Sequence, residues 1–274
     1  MTAGGQRERP DLRADCGSCF ALCCVALNFF KSAEFALDKP AGRPCANLRE
    51  DHGCAIHANL RERGFSGCTV FECFGAGQKV SQHTFEGVGW RQDPDTARRM
   101  FAVFPVMRQL HELLWYMNDA LDLAAAEPVH AALRRAIEET DRLTGAGAET
   151  ILSADVAALR ERVNVLLTRA SELARAEVER RGRNHRGGDL IGAKLAGADL
   201  RGANLRGALL VAADLRKADL RLADVIGADL RDADLRGADL RGCLFLTRSQ
   251  LQSAKGDAAT RLAPGCARPA HWAA

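Results

Sequence analysis

Between Gly188 and Thr247 the sequence repeats every five residues, through twelve consecutive units without an insertion or a deletion. The commonest unit is Ala-Asp-Leu-Arg-Gly. In an extended strand, the first and third residues of a unit share one face, and the second and fourth share the other. Because five is an odd number and side chains alternate between two faces, equivalent residues of successive units return to the same face only if the chain turns a corner at the end of each unit. The period therefore predicts a coiled β structure, because a five-residue period drifts around a helix of 3.6 residues per turn.

Apolar residues at the third position of the units are expected to fill the interior of this coil. Small alanines at the first position let opposite walls approach closely. Glycine occupies the fifth position, the corner, in seven of the twelve units, as expected where the backbone needs an unusual φ. The predicted interior residues are Leu190, Leu195, Leu200, Leu205, Leu210, Leu215, Leu220, Val225, Leu230, Leu235, Leu240 and Phe245.

The pattern A-(D/N)-L-x-x of these units resembles the pentapeptide repeat family. The resemblance implies a right-handed four-sided β-helix, in which four pentads complete one coil. Twelve pentads then make three coils, about 14 Å tall at a spacing of about 4.8 Å between strands. Residues twenty apart are expected to stack, and three such columns are Leu200 on Leu220 on Leu240, Asp199 on Asp219 on Asp239, and Arg201 on Arg221 on Arg241.

The net charge of the repeats helps to judge one function that the resemblance implies, the binding of DNA gyrase. Some pentapeptide repeat proteins imitate duplex DNA and bind DNA gyrase, which requires a dense negative face. Residues 188–247 carry nine Asp, no Glu and nine Lys or Arg, so their net charge is zero. This balance favours a rigid spacer or an interaction surface, and it leaves gyrase binding as the weaker alternative.

Length and composition set limits on the rest of the chain. The 274 residues allow two or three small domains, and a net charge of +3 predicts neither a nucleic-acid binder nor an acidic mimic. The first fifteen residues lack the apolar core of a signal peptide, and no run of 18 apolar residues predicts a transmembrane segment. We therefore expect a cytoplasmic protein without a membrane or nucleic-acid partner, whose thiols are kept reduced.

Eight of the ten cysteines fall within 58 residues, which predicts a small unit stapled by its cysteines. In a reducing compartment, ligation of a metal by thiolates is the favoured way for these cysteines to stabilise the unit. Disulfides and unligated core cysteines are the alternatives. Eight thiolates suffice for two tetrahedral sites, or for one iron–sulfur cluster and one structural ion. The predicted metal ligands are Cys16, Cys19, Cys23, Cys24, Cys45, Cys54, Cys68 and Cys73.

The spacing of the first four cysteines is compatible with a helix. Cys16, Cys19 and Cys23 stand at i, i+3 and i+7 and would share one helix face. Cys24 would point about 100° away, toward a second ion or a distant cysteine. Two histidines that flank Cys54 are candidate substitutes for thiolate ligands, with a surface position as the alternative: His52 and His57.

The stretch from about residue 13 to 78 resembles the zinc- or iron-chelating domain family with the signature C-x2-C-x2-C-C. This chain has Cys16-Gly-Ser-Cys19-Phe-Ala-Leu-Cys23-Cys24, with one more residue between the second and third cysteines than the signature has. The later run from Cys45 to Cys73 follows the family's spacing more closely. The resemblance implies metal binding and no particular reaction. We expect zinc as the cofactor, with iron or an iron–sulfur cluster as the alternative.

Helical periodicity marks the middle of the chain. Pro105 is expected in the first turn of one helix, and Pro128 in the first turn of a second that ends at Gly145. A third helix is expected from a cap at Ser153 to about Arg181. A three-helix bundle is favoured over a coiled coil that forms a homodimer, because fewer than three heptads are present.

The segments on either side of the repeats are expected to close the solenoid. Residues 180–188 predict a flexible basic hinge, and the third helix is the expected lid at the near end. Residues 247–255 predict a short capping helix stopped by Gly256, and Trp272 is the expected plug at the far end.

These patterns together predict a multidomain α plus β-solenoid protein, in which a right-handed four-sided β-helix of three coils follows a helical region and a small cysteine-rich metal-binding domain. The predicted domains are residues 1–92, 93–182, 183–247 and a cap and tail at 248–274. No phosphate loop, nucleophile elbow or H-E-x-x-H motif is present, so no catalytic residue is assigned. The first functional hypothesis is a non-catalytic interaction module or scaffold with a protein partner. The alternative is an iron- or zinc-dependent enzyme or redox protein that uses the cysteine cluster.

Overall fold

The computed structural model describes residues 12–176, 178 and 184–272. The chain divides into two compact units, each with its own hydrophobic core. The cysteine unit comprises residues 12–118 and 132–165. The repeat unit comprises residues 119–131 and the described part of 166–272. In the described part of the chain, no helix combines the length and the apolar character needed to span a bilayer.

The cysteine-bearing segment of the cysteine unit folds into short elements. Its helices are α1 (Leu22–Val25), α2 (Ser66–Val70) and α3 (Ala76–Gln78), with 3₁₀ turns at Cys16–Ser18 and His57–Asn59 and a π-helix at Lys79–Thr84. Isolated antiparallel bridges pair Phe29 with Lys39 and Leu48 with Cys54. The core beneath these elements is formed by Leu22, Ala26, Ala76, Val80, Met100, Val103, Phe104, Met107, Ala148 and Ile151.

The longest helix, α4 (Pro94–Leu121), begins eleven residues before Pro105, so the predicted start was wrong. Pro94 takes the first helical position, where its missing N–H costs nothing. The Asp93 carboxylate caps the helix by accepting a hydrogen bond from the Thr96 N–H at 2.8 Å. Pro105 therefore lies inside the helix. The helix continues past it on a face buried by Met100, Val103, Phe104, Met107, Leu110, Leu113, Leu114 and Met117.

The second predicted helix is confirmed. A 3₁₀ turn at Ala124–Ala126 leads into α5 (Glu127–Thr144), which has Pro128 in its first turn and is followed by Gly145. A proline in the first turn removes an N–H that has no partner within the helix, so its position here is the favoured one.

The third predicted helix corresponds to α7 (Val156–Arg175), and a separate short helix, α6 (Ala148–Ser153), precedes it. Ser153 ends α6, and Asp155 caps α7 by accepting a hydrogen bond from the Ala158 N–H at 2.9 Å. Within the cysteine unit α7 is linked to α5 by Arg162 and Glu139 at 2.6 Å, and to α4 by Arg160 and Glu112 at 3.6 Å. These ion pairs lie within one chain, and the homodimer stays a prediction. Residues 179–183 of the predicted helix and hinge lie outside the described residues.

The repeat unit is a β-helix whose rungs are single-residue parallel bridges. Each bridge within the repeats joins residues twenty apart, from Asn184–Asn204 to Asp224–Leu244. Asp199, Asp219 and Asp239 pair in one column, as predicted. The ladder also continues beyond the last pentad, through the bridges Asp234–Lys255 and Asp239–Arg261. The β structure thus extends past the residues in which the five-residue period is visible.

The interior and the corners of the β-helix follow the predicted pattern, with one exception. All corner residues from Gly192 to Gly242 have φ between 55° and 70°, including the four that are not glycine: Ala212, Lys217, Leu222 and Asp232. The leucines at the third position are buried from Leu200 onward, whereas Leu190 and Leu195 are partly buried. Phe245 is the exception, because it has a left-handed φ of 60° and Leu246 joins the interior cluster in its place.

The far end of the β-helix is closed as predicted. The helix α8 (Arg248–Ser253) begins with a capping box between Thr247 and Gln250. The Gln250 Nε2 donates to the carbonyls of Val225 and Ala228, so the cap is tied to the coil below it. Trp272 is 1% exposed within the interior cluster, and its Nε1 donates to the Ala254 carbonyl at 3.0 Å.

The third predicted helix, α7, is the expected lid of the β-helix, and its end contacts the β-helix at one corner. The Arg175 side chain, at the end of α7, is buried and donates to the Gly202 carbonyl at 3.0 Å and to the Ser171 hydroxyl at 3.0 Å. A Cβ on Gly202 would lie 2.4 Å from Val178, so glycine is needed for this approach. The interior leucines of the first pentads nevertheless remain partly exposed.

Candidate functional site

The eight clustered cysteines sit on short elements and turns of the cysteine unit, and all ten cysteines of the chain are free thiols. Cys16, Cys19 and Cys23 do not share one face of a continuous helix, although their spacing is compatible with one. Cys19 has an extended backbone and Ala21 a left-handed one, so the chain turns between the 3₁₀ turn at Cys16–Ser18 and α1. Cys23 and Cys24 lie within α1.

Cys19 lies in a pocket of hydrogen-bond donors. The N–H groups of Leu22 and Ala21 and the hydroxyl of Ser81 act to lower the pKa of its thiol. Ser81 is fully buried on the π-helix, and its Oγ accepts the Phe20 N–H at 3.0 Å. Burial outweighs these donors and raises the pKa of the Cys19 thiol to about 11.

Cys73 has a similar environment at the start of α3. The N–H groups of Gly77 and Gly75 act to lower the pKa of its thiol, and they lie on a turn where Phe74 and Gly75 are both left-handed. A Cβ on Gly77 would lie 2.6 Å from the Cys19 Sγ, so α3 approaches that sulfur closely. Burial raises the pKa of Cys73, whose thiol also interacts electrostatically with Cys16 and Cys19.

A histidine on α4 supports the left-handed turn that follows Cys73. The Nδ1 of His111, a histidine that is 3% exposed, donates to the Phe74 carbonyl at 2.7 Å. A carbonyl oxygen only accepts, so the proton of this bond belongs to the imidazole. His111 thus supports the turn that places the Cys73 thiol beside the others.

Cys45, Cys54 and Cys68 lie around Cys24. The Cys45 N–H donates to the Cys24 carbonyl at 3.0 Å, and Cys54 pairs with Leu48 in a β bridge. Burial raises the pKa of Cys68 to about 12, and the neighbouring thiols Cys24, Cys45 and Cys54 raise it further. Burial also raises the pKa of Cys54, with Cys24 and Cys45 adding to the shift.

Lys39 is buried beside this second set of thiols. Its side chain is 3% exposed, and its Nζ donates to the carbonyls of Val25, Pro40 and Arg43 at 2.9–3.0 Å. Among the described residues no carboxylate forms an ion pair with it, and the thiols that interact with it are Cys45, Cys24 and Cys23. Burial lowers the pKa of Lys39, and these thiols oppose the shift.

Cys23 and Cys24 are adjacent in the chain and link two groups of thiols, those of Cys16, Cys19 and Cys73 and those of Cys45, Cys54 and Cys68. Their Sγ atoms are 3.9 Å apart. The hydrogen bond shared with Cys24, together with burial, raises the pKa of Cys23. The same hydrogen bond lowers the pKa of Cys24, and the Lys39 cation lowers it further.

The donor set fits a thiolate metal centre in its chemistry, but the thiols do not converge on one point. Within residues 12–176, 178 and 184–272, no group of three or more His, Cys, Asp or Glu side chains is arranged to hold a metal ion. His52 packs its ring against Phe20 and Trp90, at centroid distances of 5.2 and 6.1 Å, and His57 is exposed. Sequence reasoning missed Lys39 and Ser81, which no spacing rule connects to the cysteines.

The exterior of the β-helix is a second candidate surface, and its charges are paired. Within a pentad, Arg at the fourth position donates through Nε and Nη2 to the Asp at the second, as Arg216 does to Asp214 at 2.8 and 2.6 Å. This hydrogen bonding lowers the pKa of Asp214 to about 2. Longer contacts, such as Arg201 to Asp219 at 3.5 Å, link neighbouring coils. The columns of like charge are thereby neutralised.

Comparison with known proteins finds a family model that matches the repeats and a relative whose similarity extends outside them. The family model described as pentapeptide repeats matches eight copies, over residues 181–210, 189–225 and 208–245. The "Uncharacterized protein YybG" of Bacillus subtilis (strain 168) is 56% identical over 167 residues, which are 61% of this chain and 60% of the relative. The chain thus spans about three fifths of that relative's length. Most of the aligned residues lie outside the matched repeats, because the alignment is far longer than they are.

Two solved structures of pentapeptide repeat proteins are similar to part of this chain. A pentapeptide repeat protein, Rfr23, from the cyanobacterium Cyanothece 51142 is 30% identical and covers 29% of this chain and 56% of its own, with a TM-score of 0.24. The pentapeptide repeat protein alr5209 from Nostoc Pcc 7120 is 34% identical and covers 34% of this chain and 85% of its own, with a TM-score of 0.25.

Proposed function

We propose that this chain, whose residues 181–245 match the pentapeptide repeat family model, is a non-catalytic scaffold. It combines a cysteine-rich, metal-binding module with a β-helix that docks a protein partner. The observation that carries the proposal is the uninterrupted ladder of bridges between residues twenty apart. Such a ladder holds exterior side chains at a fixed spacing, which suits a docking surface.

The proposal includes a specific geometry for the repeats. Twelve pentads form three coils of a right-handed four-sided β-helix, one pentad to a side. The twenty-residue register and the left-handed corner at every fifth residue support this arrangement. In the proposal the domains remain residues 1–92, 93–182, 183–247 and 248–274.

The proposal also includes a metal in the cysteine module and a cytoplasmic location. Zinc is the proposed metal and iron or an iron–sulfur cluster the alternative, because both are bound by thiolates. The free thiols of the cysteine cluster support this part. A reducing compartment keeps such thiols available to a metal.

Metal analysis of the full chain, purified without oxygen and combined with an absorption spectrum, tests the metal part. We expect stoichiometric zinc and no visible absorbance. Protein that retains no metal, although zinc is supplied during expression, would overturn it. Iron with a broad visible band would favour the second candidate function, a redox protein or an enzyme.

Charge reversal on one face at a time tests the docking part. Arg216 and Arg236 lie in one column of the β-helix, and Arg221 and Arg241 lie in the next. We expect a partner captured by the full chain to be lost when one pair is changed to Glu and kept when the other is changed. Equal binding by both double variants and by a chain without residues 184–272 would contradict docking on the repeats.

The redox alternative is favoured by one observation, the contact between Cys23 and Cys24, whose sulfurs lie 3.9 Å apart. Gyrase binding is opposed by the paired exterior charges, since a DNA mimic needs unpaired negative charge. We therefore expect no inhibition of gyrase in a supercoiling assay.

A further inference from the structure

We propose that one face of the β-helix is a self-association surface, through which two copies of this chain pack as a two-fold dimer. The face is built by pentads 188–192 and 208–212, and its apolar side chains are Ile191, Leu209 and Val211. The inference goes beyond the proposed scaffold function, because the occupant of this face is a second copy of the chain. It does not depend on metal binding or on a protein partner.

The three apolar side chains occupy exterior positions that carry charge in the commonest unit. There the second residue is Asp and the fourth is Arg, and the two form an ion pair. Asp229 and Arg231, in the next pentad on the same face, pair in this way at 2.7 Å. Leu209 stands in place of the Asp, and Ile191 and Val211 stand in place of the Arg. The coil accepts a charged pair at these positions, so its folding does not require apolar residues there.

The same three side chains are neighbours on the surface. Leu209 and Val211 are two residues apart in one extended pentad, so they point to the same side. The backbone bridge between Asp189 and Leu209 aligns the two pentads. Ile191 therefore lies beside Val211. Ile191 is 57% exposed and Leu209 is 41% exposed, whereas Val211 is partly buried. Single exposed apolar residues are ordinary, but contiguous ones indicate a contact site.

The charges at the two ends of this patch favour a second copy as its occupant. Asp189 precedes the apolar residues along the chain, and Lys194 follows them, just past the corner at Gly192. Both side chains are exposed, and neither forms an ion pair with another described residue. A two-fold axis runs the two faces antiparallel, so Asp189 of one protomer meets the partner's Lys194 on each side of the axis. The surface is thus complementary to itself.

The small size of the patch predicts a weak dimer. Stable interfaces bury on the order of 1,200–2,000 Å² in total, which is more than three apolar side chains and their flanking charges can cover. We therefore expect a Kd of about 10–100 µM and rapid exchange between monomer and dimer.

Sedimentation equilibrium of the full chain, at about 1–500 µM to bracket this Kd, tests the proposal. A reductant keeps the free thiols from linking copies through disulfides. The decisive variant combines Leu209→Asp with Val211→Arg, which restores the commonest unit, so its circular dichroism should match the wild type. Its dimerisation should weaken at least about 10-fold. The matched control is Val165→Arg, which changes a 68% exposed residue on α7 and should dimerise like the wild type.

A charge exchange tests the antiparallel arrangement. Lys194→Asp should weaken dimerisation by about 3- to 10-fold, because it brings carboxylates together at both ends of the interface. Adding Asp189→Lys should restore the affinity, because the two charges then only change places. The coil already carries Lys at the second position of pentad 193–197, so it tolerates the exchange. A double variant that dimerises no better than Lys194→Asp would overturn this arrangement of the two copies.

The remaining outcomes also decide the proposal. A wild-type chain that stays monomeric over the whole concentration range would overturn it. A dimer that Val165→Arg abolishes and the Leu209→Asp, Val211→Arg variant retains would place the interface on α7 and overturn it too. If the wild type is monomeric and this double variant loses a captured protein partner, the face serves that partner and not a second copy. Metal content is measured separately, so none of these results decides the metal part of the proposed function.

Discussion

Arg206 Nη1 lies 2.9 Å from Asp224 Oδ2, and both side chains are buried, at 6% and 0% exposed. The pair crosses between coils, because pentad 203–207 has Asn in place of Asp and pentad 223–227 has Ile in place of Arg. Asn204 and Asp224 stack in one column, so Arg206, left without a carboxylate in its own pentad, reaches the one above. Two departures from the consensus unit thus compensate each other.

Arg206→Met should destabilise the repeat unit by about 3–5 kcal/mol, because it leaves the Asp224 carboxylate buried without its cation. Urea unfolding followed by circular dichroism measures the loss. The control is Arg241→Met, whose guanidinium is half-exposed and should cost much less. Equal losses for the two variants would show that burial of the pair does not matter.

Trp272→Ala should destabilise the repeat unit by about 3–5 kcal/mol, because it opens a cavity in the interior cluster and removes the bond to the Ala254 carbonyl. Chemical unfolding of the full chain checks this value. Ile191→Ala is the control, since Ile191 is 57% exposed and its truncation should change stability by less than about 0.5 kcal/mol. A stability equal to that of the wild type would mean that Trp272 does not plug the solenoid in solution.

Ala212→Gly should stabilise the β-helix by about 1 kcal/mol, and Gly207→Ala should destabilise it by about the same amount. Both corners are left-handed, with φ of 55° and 62°, and a Cβ on Gly207 would meet nothing within 4 Å. The two substitutions therefore measure backbone strain without a steric clash. Thermal unfolding of both variants is the measurement, and changes of the same sign would contradict the strain argument.

The Asp214 carboxyl should titrate at about pH 2 in the folded protein, below the ordinary value of 3.8, because Arg216 donates hydrogen bonds to it. A lowered pKa contributes stability that is present above pH 3.8 and lost as the pH falls toward 2. NMR titration of the carboxyl carbon gives the midpoint. In Arg216→Gln the midpoint should rise toward 3.8, and an unchanged midpoint would show that Arg216 is not the cause.

The cysteine unit shows where the pattern of residues could not predict the site. The sequence places eight thiols within 58 residues and predicts thiolate chemistry, and the spacing is also compatible with one helix through Cys16 and Cys23. The left-handed Ala21 breaks that helix, and nothing in local propensity indicates a left-handed alanine. Lys39 and Ser81 reach the thiols only through the packing of segments distant in the chain.

The sequence by itself determined the register of the β-helix, its glycine corners and its apolar interior. A strict period repeats the same local preferences in every unit, and so it leaves one consistent way to coil. Only the tertiary structure showed that Lys255 and Arg261 continue the ladder, that Arg206 pairs with Asp224, and that Leu246 replaces Phe245 inside. These features depend on which residues become neighbours in space after the coil has formed, and no local pattern encodes them.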